Sequence, residues 1–122
     1  MSSVASTSAT PEFKGKLGQA IDLKNQERFA EAAQILEQLR ESYPQSASVH
    51  ALLGEVLWQQ HGAAQAIPAF QRAVELAPTS ELASLGLFHT LLETGDKQRA
   101  LQEMNRFLSL SDSEEYEAIA EK

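Results

Sequence analysis

The chain has 122 residues, of which 43% are hydrophobic and 22% are charged, and this composition is typical of one ordinary soluble domain. The absence of cysteine excludes disulfides, thiolate metal sites and a cysteine nucleophile. Ten Lys and Arg against 17 Asp and Glu give a net charge of −7, and such a surface repels the phosphate backbone of nucleic acids. We therefore expect no nucleic-acid partner.

The N-terminal segment, residues 1–10, is rich in Ser and Thr and carries no charged side chain. It lacks the charged and apolar regions of a secretory signal, so we interpret it as a flexible leader. The chain has no polybasic segment, and no apolar run approaches the roughly 20 residues needed to span a bilayer. These features predict a cytoplasmic protein with no membrane partner.

Two sets of residues recur along the chain with one period. Three alanines are spaced by 34 residues, and two prolines have the same spacing. Each alanine opens an apolar i, i+4, i+7 set, which is typical of an amphipathic helix with one buried face. The three sets are Ala32, Leu36 and Leu39, then Ala66, Phe70 and Ala73, then Ala100, Met104 and Phe107.

A second apolar stretch precedes each of these helices, and short polar breaks at residues 25–28, 59–62 and 94–96 separate the two. The repeated unit is therefore predicted to be a helix, a turn and a helix. Between units, residues 43–46 and 77–80 contain a proline that ends one helix and a serine that can cap the next. Thr10 and Pro11 are expected to begin the first helix in the same way.

The middle unit, residues 47–80, resembles a tetratricopeptide repeat. The residues that carry the resemblance are His50, Leu53, Gly54, Leu57, Ala66, Phe70, Ala73 and Pro78. Residues 13–46 and 81–114 match the same pattern more weakly. The resemblance implies an all-α fold, a right-handed α-solenoid of three antiparallel helix pairs that occupies residues 11–114, with the first helix of each pair lining a concave groove.

The third unit departs from the family pattern, since Phe88 and Phe107 stand where small residues are usual. Two rings there predict a wider helix crossing or a hydrophobic surface open to something beyond the third repeat. Residues 111–122 are acidic and are interpreted as a short C-terminal capping helix, with Ser111 and Glu114 as a capping box. A frayed acidic tail is the alternative.

The polar residues show no catalytic or metal-binding pattern. His50, His61 and His89 lack the i, i+4 spacing of two metal ligands on one helical face. No serine lies in a G-x-S-x-G motif, and the acidic stretch near Ser113 lacks the central glycine of a calcium loop. We therefore expect no enzymatic activity, catalytic residue, cofactor or metal.

The concave groove implied by the resemblance is unusually apolar, with Lys14 and Lys24 expected at one end and Glu55 and Glu93 toward the other. Trp58 is either a binding hot spot or a packing residue between first helices. Some tetratricopeptide domains grip an acidic C-terminal tail with a polar clamp, but the matching positions here include Leu17, Ile21 and Gly86, which cannot form it. The candidate groove residues are Lys14, Leu17, Ile21, Lys24, Glu55, Trp58, Gln59, Leu82, Leu85, His89, Leu92 and Glu93.

These features favour a non-catalytic interaction module, such as a scaffold or adaptor, that binds a peptide or an amphipathic helix of a partner protein. One alternative is a small acidic secretion-type chaperone that holds an aggregation-prone client. Another is an assembly subunit, or a fragment of a larger repeat protein, that self-associates through the ends of the repeat array.

Overall fold

A computed structural model describes residues 10–121, and in this range the chain forms seven α-helices and no strand. The interpretation of residues 1–9 as a flexible leader lies outside the described residues. The helices are α1 (Pro11–Asn25), α2 (Phe29–Ser42), α3 (Ala47–His61), α4 (Ala63–Leu76), α5 (Glu81–Glu93), α6 (Lys97–Leu110) and α7 (Glu114–Ala120).

The first helix of each pair begins at the cap that the sequence predicts. The side chains of Thr10, Ser46 and Ser80 each accept a hydrogen bond from the backbone N–H three residues later, over 3.0, 3.3 and 3.2 Å respectively. Each of these bonds satisfies a backbone donor that has no partner inside the helix. The predicted boundaries at these three sites are therefore confirmed.

The turns inside the first and third pairs share one geometry. The second turn residue adopts a positive φ of 63° at Glu27 and of 90° at Gly95. In both turns the following N–H reaches back to a helical carbonyl, from Arg28 to Leu23 over 2.8 Å and from Asp96 to Leu91 over 2.9 Å. Glycine adopts this backbone region without steric cost, whereas glutamate adopts it only with steric strain.

All three apolar sets predicted from the 34-residue period are buried, as expected for the inner face of the second helices. α1 contacts α3, and α3 contacts α5, in addition to the contacts between neighbours in the chain. The first helices therefore form the inner layer, and the predicted all-α solenoid of three helix pairs is confirmed.

The buried apolar residues form two clusters. The N-terminal cluster contains Phe13, Ala20, Ala32, Leu36, Leu39, Val49, Leu53 and Val56. The C-terminal cluster contains Ala51, Ala66, Phe70, Ala73, Val74, Ala83, Leu87, Phe88, Leu91, Ala100, Met104, Phe107 and Tyr116. Leu57 of α3 packs against both clusters and joins them.

Phe70 of α4 lies against the backbones of two inner helices. A Cβ atom built on Gly54 of α3 would lie 3.1 Å from its ring, and one built on Gly86 of α5 would lie 2.3 Å away. The family pattern places a small residue at position 88, but that position holds a phenylalanine. In the third repeat the required small residue is therefore Gly86, two positions earlier.

The C-terminal helix α7 covers the two rings that depart from the family pattern. Tyr116 is fully buried, with its ring centroid 5.3 Å from that of Phe88 and 5.6 Å from that of Phe107. The surface that these two rings offer beyond the third repeat is covered by α7 of the same chain, and both rings are at most 2% exposed. The capping box predicted at Ser111 is wrong. The cap is Ser113, whose side chain accepts a hydrogen bond from the Tyr116 N–H over 3.1 Å.

A buried polar network fixes α7 to the third repeat. The Ser84 hydroxyl donates to Glu103 over 2.6 Å and lies 2.7 Å from the Tyr116 hydroxyl. Arg106 donates to both oxygens of Glu103, over 2.9 and 2.7 Å. Burial raises the pKa of Tyr116 to about 12. Every buried side-chain polar atom of the described residues has a partner, so the network stabilises the docked helix.

Candidate protein-binding groove

A cavity of about 550 Å³ opens on the inner layer of the solenoid. α1, α3 and α5 each contribute side chains to its wall, while the α1–α2 turn and the start of α2 close one side and α4 supplies the floor. The lining residues are Lys24, Asn25, Glu27, Phe29, Glu55, Trp58, Gln59, Phe70, Leu82, Leu85, Gly86 and His89.

The cavity brings together most of the groove residues predicted from the sequence. Seven of them line it, namely Lys24, Glu55, Trp58, Gln59, Leu82, Leu85 and His89. Glu93 adjoins the cavity through a hydrogen bond to Trp58. Lys14, Leu17, Ile21 and Leu92 do not line it: Leu17 packs against the N-terminal cluster, and Leu92 is 40% exposed on α5.

Five lining residues were absent from the candidate list given above, namely Asn25, Glu27, Phe29, Phe70 and Gly86. The sequence contains a signal for Phe70, because it occupies the aromatic position of the repeat. Its place in the cavity floor depends on the two glycines that let its ring reach through to the inner layer. Glu27 and Phe29 reach the cavity because the α1–α2 turn folds back over the end of α1.

Trp58 has the packing role that the sequence left open, and it also lines the cavity. Its indole packs edge-on against Phe70, with ring centroids 6.0 Å apart at an interplanar angle of 86°. Its Nε1–H donates to the Glu93 carboxylate over 2.6 Å, which ties α3 to α5. The ring is only half-buried and lines the cavity, so it is fixed in position while part of its surface stays open.

The charges of the groove are arranged differently from the prediction. Lys24 and Glu55 were expected at opposite ends, but the Lys24 Nζ lies 2.8 Å from Glu55 Oε1 in a half-buried ion pair. The two side chains project toward each other because α1 and α3 are neighbours in the inner layer. Glu27, Glu55 and Glu93 stand against the single Lys24, so this part of the groove carries a net charge of −2.

The histidines occupy three unrelated environments. His89 is half-buried beside the cavity, 5.2 Å from the Phe88 ring. His50 is buried, with its Nε2 2.9 Å from the Pro44 carbonyl oxygen, and His61 is exposed at the end of α3. Across residues 10–121, no three His, Asp or Glu side chains are grouped as a metal ion requires.

The described residues also contain no helix with the length and apolar character needed to cross a bilayer.

The stacked helix pairs and the open inner face define an α-helical repeat protein with a concave groove. The period of the repeat identifies the class more narrowly. Sequence models of the tetratricopeptide repeat match residues 17–81 and 57–120, and the chain belongs to the tetratricopeptide repeat family.

Solved structures share this fold. The type III secretion chaperone SycD of Yersinia enterocolitica, in complex with a peptide of the translocator YopD, superposes with a TM-score of 0.79 at 11% identity, over 92% of this chain and 86% of that one. A point mutant of MamA gives a TM-score of 0.72 at 19% identity, over 86% and 77%. Identities this low show the fold alone. No curated protein sequence matches the chain.

Proposed function

We propose that the protein is a non-catalytic interaction module that holds a short peptide or one face of an amphipathic helix of a partner protein in the cavity of the inner layer. The observation that carries the proposal is the open apolar wall around a buried aromatic floor. Repeats of this family generally act as protein-interaction modules, and the volume of about 550 Å³ falls within the roughly 300–1,000 Å³ of ordinary ligand sites.

The energetic centre of the proposed site is the wall formed by Trp58, Leu82 and Leu85. Leu82 is 56% exposed, so a partner that covers it removes apolar surface from water, which is the main favourable term in association. Trp58 is already held by Phe70 and Glu93, and a fixed aromatic ring loses little conformational freedom on binding. Tryptophan is also enriched among residues whose truncation weakens interfaces most.

The buried contact between the Ser84 hydroxyl and the Glu103 carboxylate offers no support for catalysis. Ser84 and Glu103 lie 2.6 Å apart, but Ser84 has no exposed surface and its hydroxyl also contacts Tyr116. A substrate cannot reach this pair while α7 is docked. We assign the pair to the attachment of α7.

Two alternatives use the same fold. A secretion-type chaperone would hold an unfolded apolar client, and it would keep such a client in solution at concentrations where the client alone aggregates. A self-associating subunit would show a mass that rises with concentration in light scattering. Since Phe88 and Phe107 are buried, that subunit would need other residues at the ends of the array.

The proposal is tested by selecting displayed random peptides on the full-length chain and on two matched variants. Leu82→Asn removes an apolar side chain from the groove wall. Leu110→Asn removes one of equal exposure, 54% against 56%, at the end of α6 and away from the cavity. We expect peptides that bind the wild type and Leu110→Asn but lose most of their affinity for Leu82→Asn.

Binding also has a direct optical signal, because Trp58 is the only tryptophan in the chain. A selected peptide that covers the indole is expected to shift its fluorescence emission to shorter wavelength. Failure to select any peptide, or equal binding to all three proteins, would contradict the proposal. Circular dichroism of both variants establishes beforehand that they remain helical.

A further inference from the structure

We propose that the bound segment carries a bulky apolar side chain next to an arginine or lysine. This inference rests on the proposed function and specifies the chemistry of the partner. The apolar side chain enters the cavity over Phe70, and the basic residue meets the carboxylates around Trp58. The argument depends on the shape of the cavity floor and on the charge of its wall.

The floor of the cavity is built to receive a side chain. Gly86 contributes no side chain and Phe70 presents its ring at this point, so the cavity reaches between α3 and α5. Leu85 and Trp58 supply the walls, and both pack against the C-terminal cluster. A leucine or phenylalanine of the partner therefore contacts side chains that are already held in place, which limits the entropy lost on binding.

Acidic groups surround this apolar site. Glu55 and Glu93 flank Trp58, the first from one turn earlier on α3 and the second from the end of α5. Each uses its Oε1 atom in the bond described above, to Lys24 and to Trp58 respectively. A carboxylate has about four acceptor positions, so each retains capacity for a cationic donor of the partner.

Lys24, the one lysine or arginine among the described residues that line the cavity, does not reverse this preference. Lys24 is paired with Glu55 over 2.8 Å, and both side chains are about one-quarter exposed. Together with Glu27 and Glu93, the pair leaves a net charge of −2 within a chain of net charge −7. Complementary charge increases the association rate and selects among partners, while like charge rejects them.

The same argument excludes the C-terminal segment of a second copy of this chain as the occupant of the groove. The C-terminal segment is acidic, with Glu114, Glu115, Glu117 and Glu121. A second copy that inserted this segment would bring carboxylates to carboxylates. The charge of the groove therefore favours a different protein with a basic recognition segment.

The composition of the selected peptides tests the inference separately from the proposed function. Peptides that depend on Leu82 and are enriched in Arg or Lys beside a large apolar residue would support both proposals. Peptides that depend on Leu82 but show no basic enrichment, or are acidic, would overturn this inference and leave the proposed function intact. An absence of Leu82-dependent peptides would overturn both.

A pair of matched variants then localises the charge effect. Glu93→Gln keeps an acceptor for the Trp58 N–H and removes one groove charge. Glu37→Gln removes one charge from α2, where Glu37 is paired with Arg40. We expect Glu93→Gln to lower the affinity for a selected basic peptide about threefold at low salt, which is the size typical of a partly exposed ion pair. The variant should also reduce the salt dependence of binding.

Glu37→Gln is expected to leave the affinity unchanged. Equal weakening by the two variants would mean that only the overall charge of the chain matters, and would overturn the assignment to the groove. No change in Glu93→Gln would overturn it as well. The dissociation constants are measured through the Trp58 emission in the wild type and in both variants, at two salt concentrations.

Discussion

The groove and the C-terminal end of the array contain similar chemical groups in opposite states of burial. In the groove, Trp58 donates to Glu93 and its ring is half-buried. At the C-terminal end, Tyr116 joins Ser84 and Glu103 beneath α7 and has no exposed surface. Both rings are linked to a carboxylate, Trp58 directly and Tyr116 through the Ser84 hydroxyl. The ring that a helix covers is a structural element, and the ring that stays partly open in the described chain is a candidate binding element.

The largest effect on stability is expected from removing Tyr116, the buried ring. Tyr116→Ala deletes the ring that covers Phe88 and Phe107 and should lower the free energy of unfolding by about 3–4 kcal/mol, as is usual for a buried aromatic side chain. Urea unfolding monitored by circular dichroism measures the loss. Glu117→Ala, an exposed residue of the same helix, is the control. A loss below about 1 kcal/mol would show that α7 contributes little to stability.

The pH dependence of stability gives a second test of the covered network. Desolvation raises the pKa of Tyr116 from 10.0 to about 12, so the folded chain holds the phenol proton more tightly than the unfolded chain does. The resulting stabilisation is complete below pH 10 and is lost as the pH rises toward 12, by at most about 2–3 kcal/mol. Tyr116→Phe should lack this part of the loss, and parallel pH profiles for the two proteins would refute the assignment.

The floor of the groove should respond to a single methyl group. Gly86→Ala places a Cβ atom 2.3 Å from the Phe70 ring, and we expect a net destabilisation of about 2 kcal/mol from overpacking. Gly54→Ala meets the same ring at 3.1 Å and should cost clearly less, because the ring needs to move only a few tenths of an ångström. Thermal unfolding of the two variants compares them, and a Gly54→Ala chain that is the less stable of the two would contradict the packing described here.

The smallest effect is expected at the edge of the groove and has the opposite sign. Glu27 has a φ of 63°, at the position that Gly95 occupies in the third repeat. Glu27→Gly relieves this strain and should raise the unfolding free energy by about 0.5–1 kcal/mol. Loss of the carboxylate should also slightly weaken the binding of a basic peptide. The reverse substitution, Gly95→Glu, should destabilise the chain. Stability that is unchanged or lower in Glu27→Gly would count against strain at this turn.

Features that depend on local chemistry and on periodicity were predictable from the sequence. The caps at Thr10, Ser46 and Ser80 follow from side chains that bond to the next few backbone amides, and the buried sets that begin at Ala32 and Ala66 follow from helical spacing. The inner layer could be predicted only through the family resemblance. Most residues of the candidate groove were found in this way, because the repeat fixes which face of each first helix points inward.

Features that depend on how two helices meet were not predictable. The Lys24–Glu55 pair requires the distance between α1 and α3, which the order of residues does not give. The sequence shows an apolar stripe on α7 that could cover the third repeat, but not the contacts of Tyr116 with Phe88 and Phe107. The cap lies at Ser113 and not at Ser111. Gly86 leaves room for the Phe70 ring, and this role depends on how far that ring extends into the inner layer.

The division of the core into two clusters bears on how the chain is made. Every member of the N-terminal cluster lies between Phe13 and Val56, so this part of the core has all its partners before α5, α6 and α7 have been synthesised. Helices that pack mainly on their neighbours in sequence need little long-range loop closure. The order of synthesis therefore brings the partners of the N-terminal cluster together first, and α3 then supplies the surface against which the second half packs.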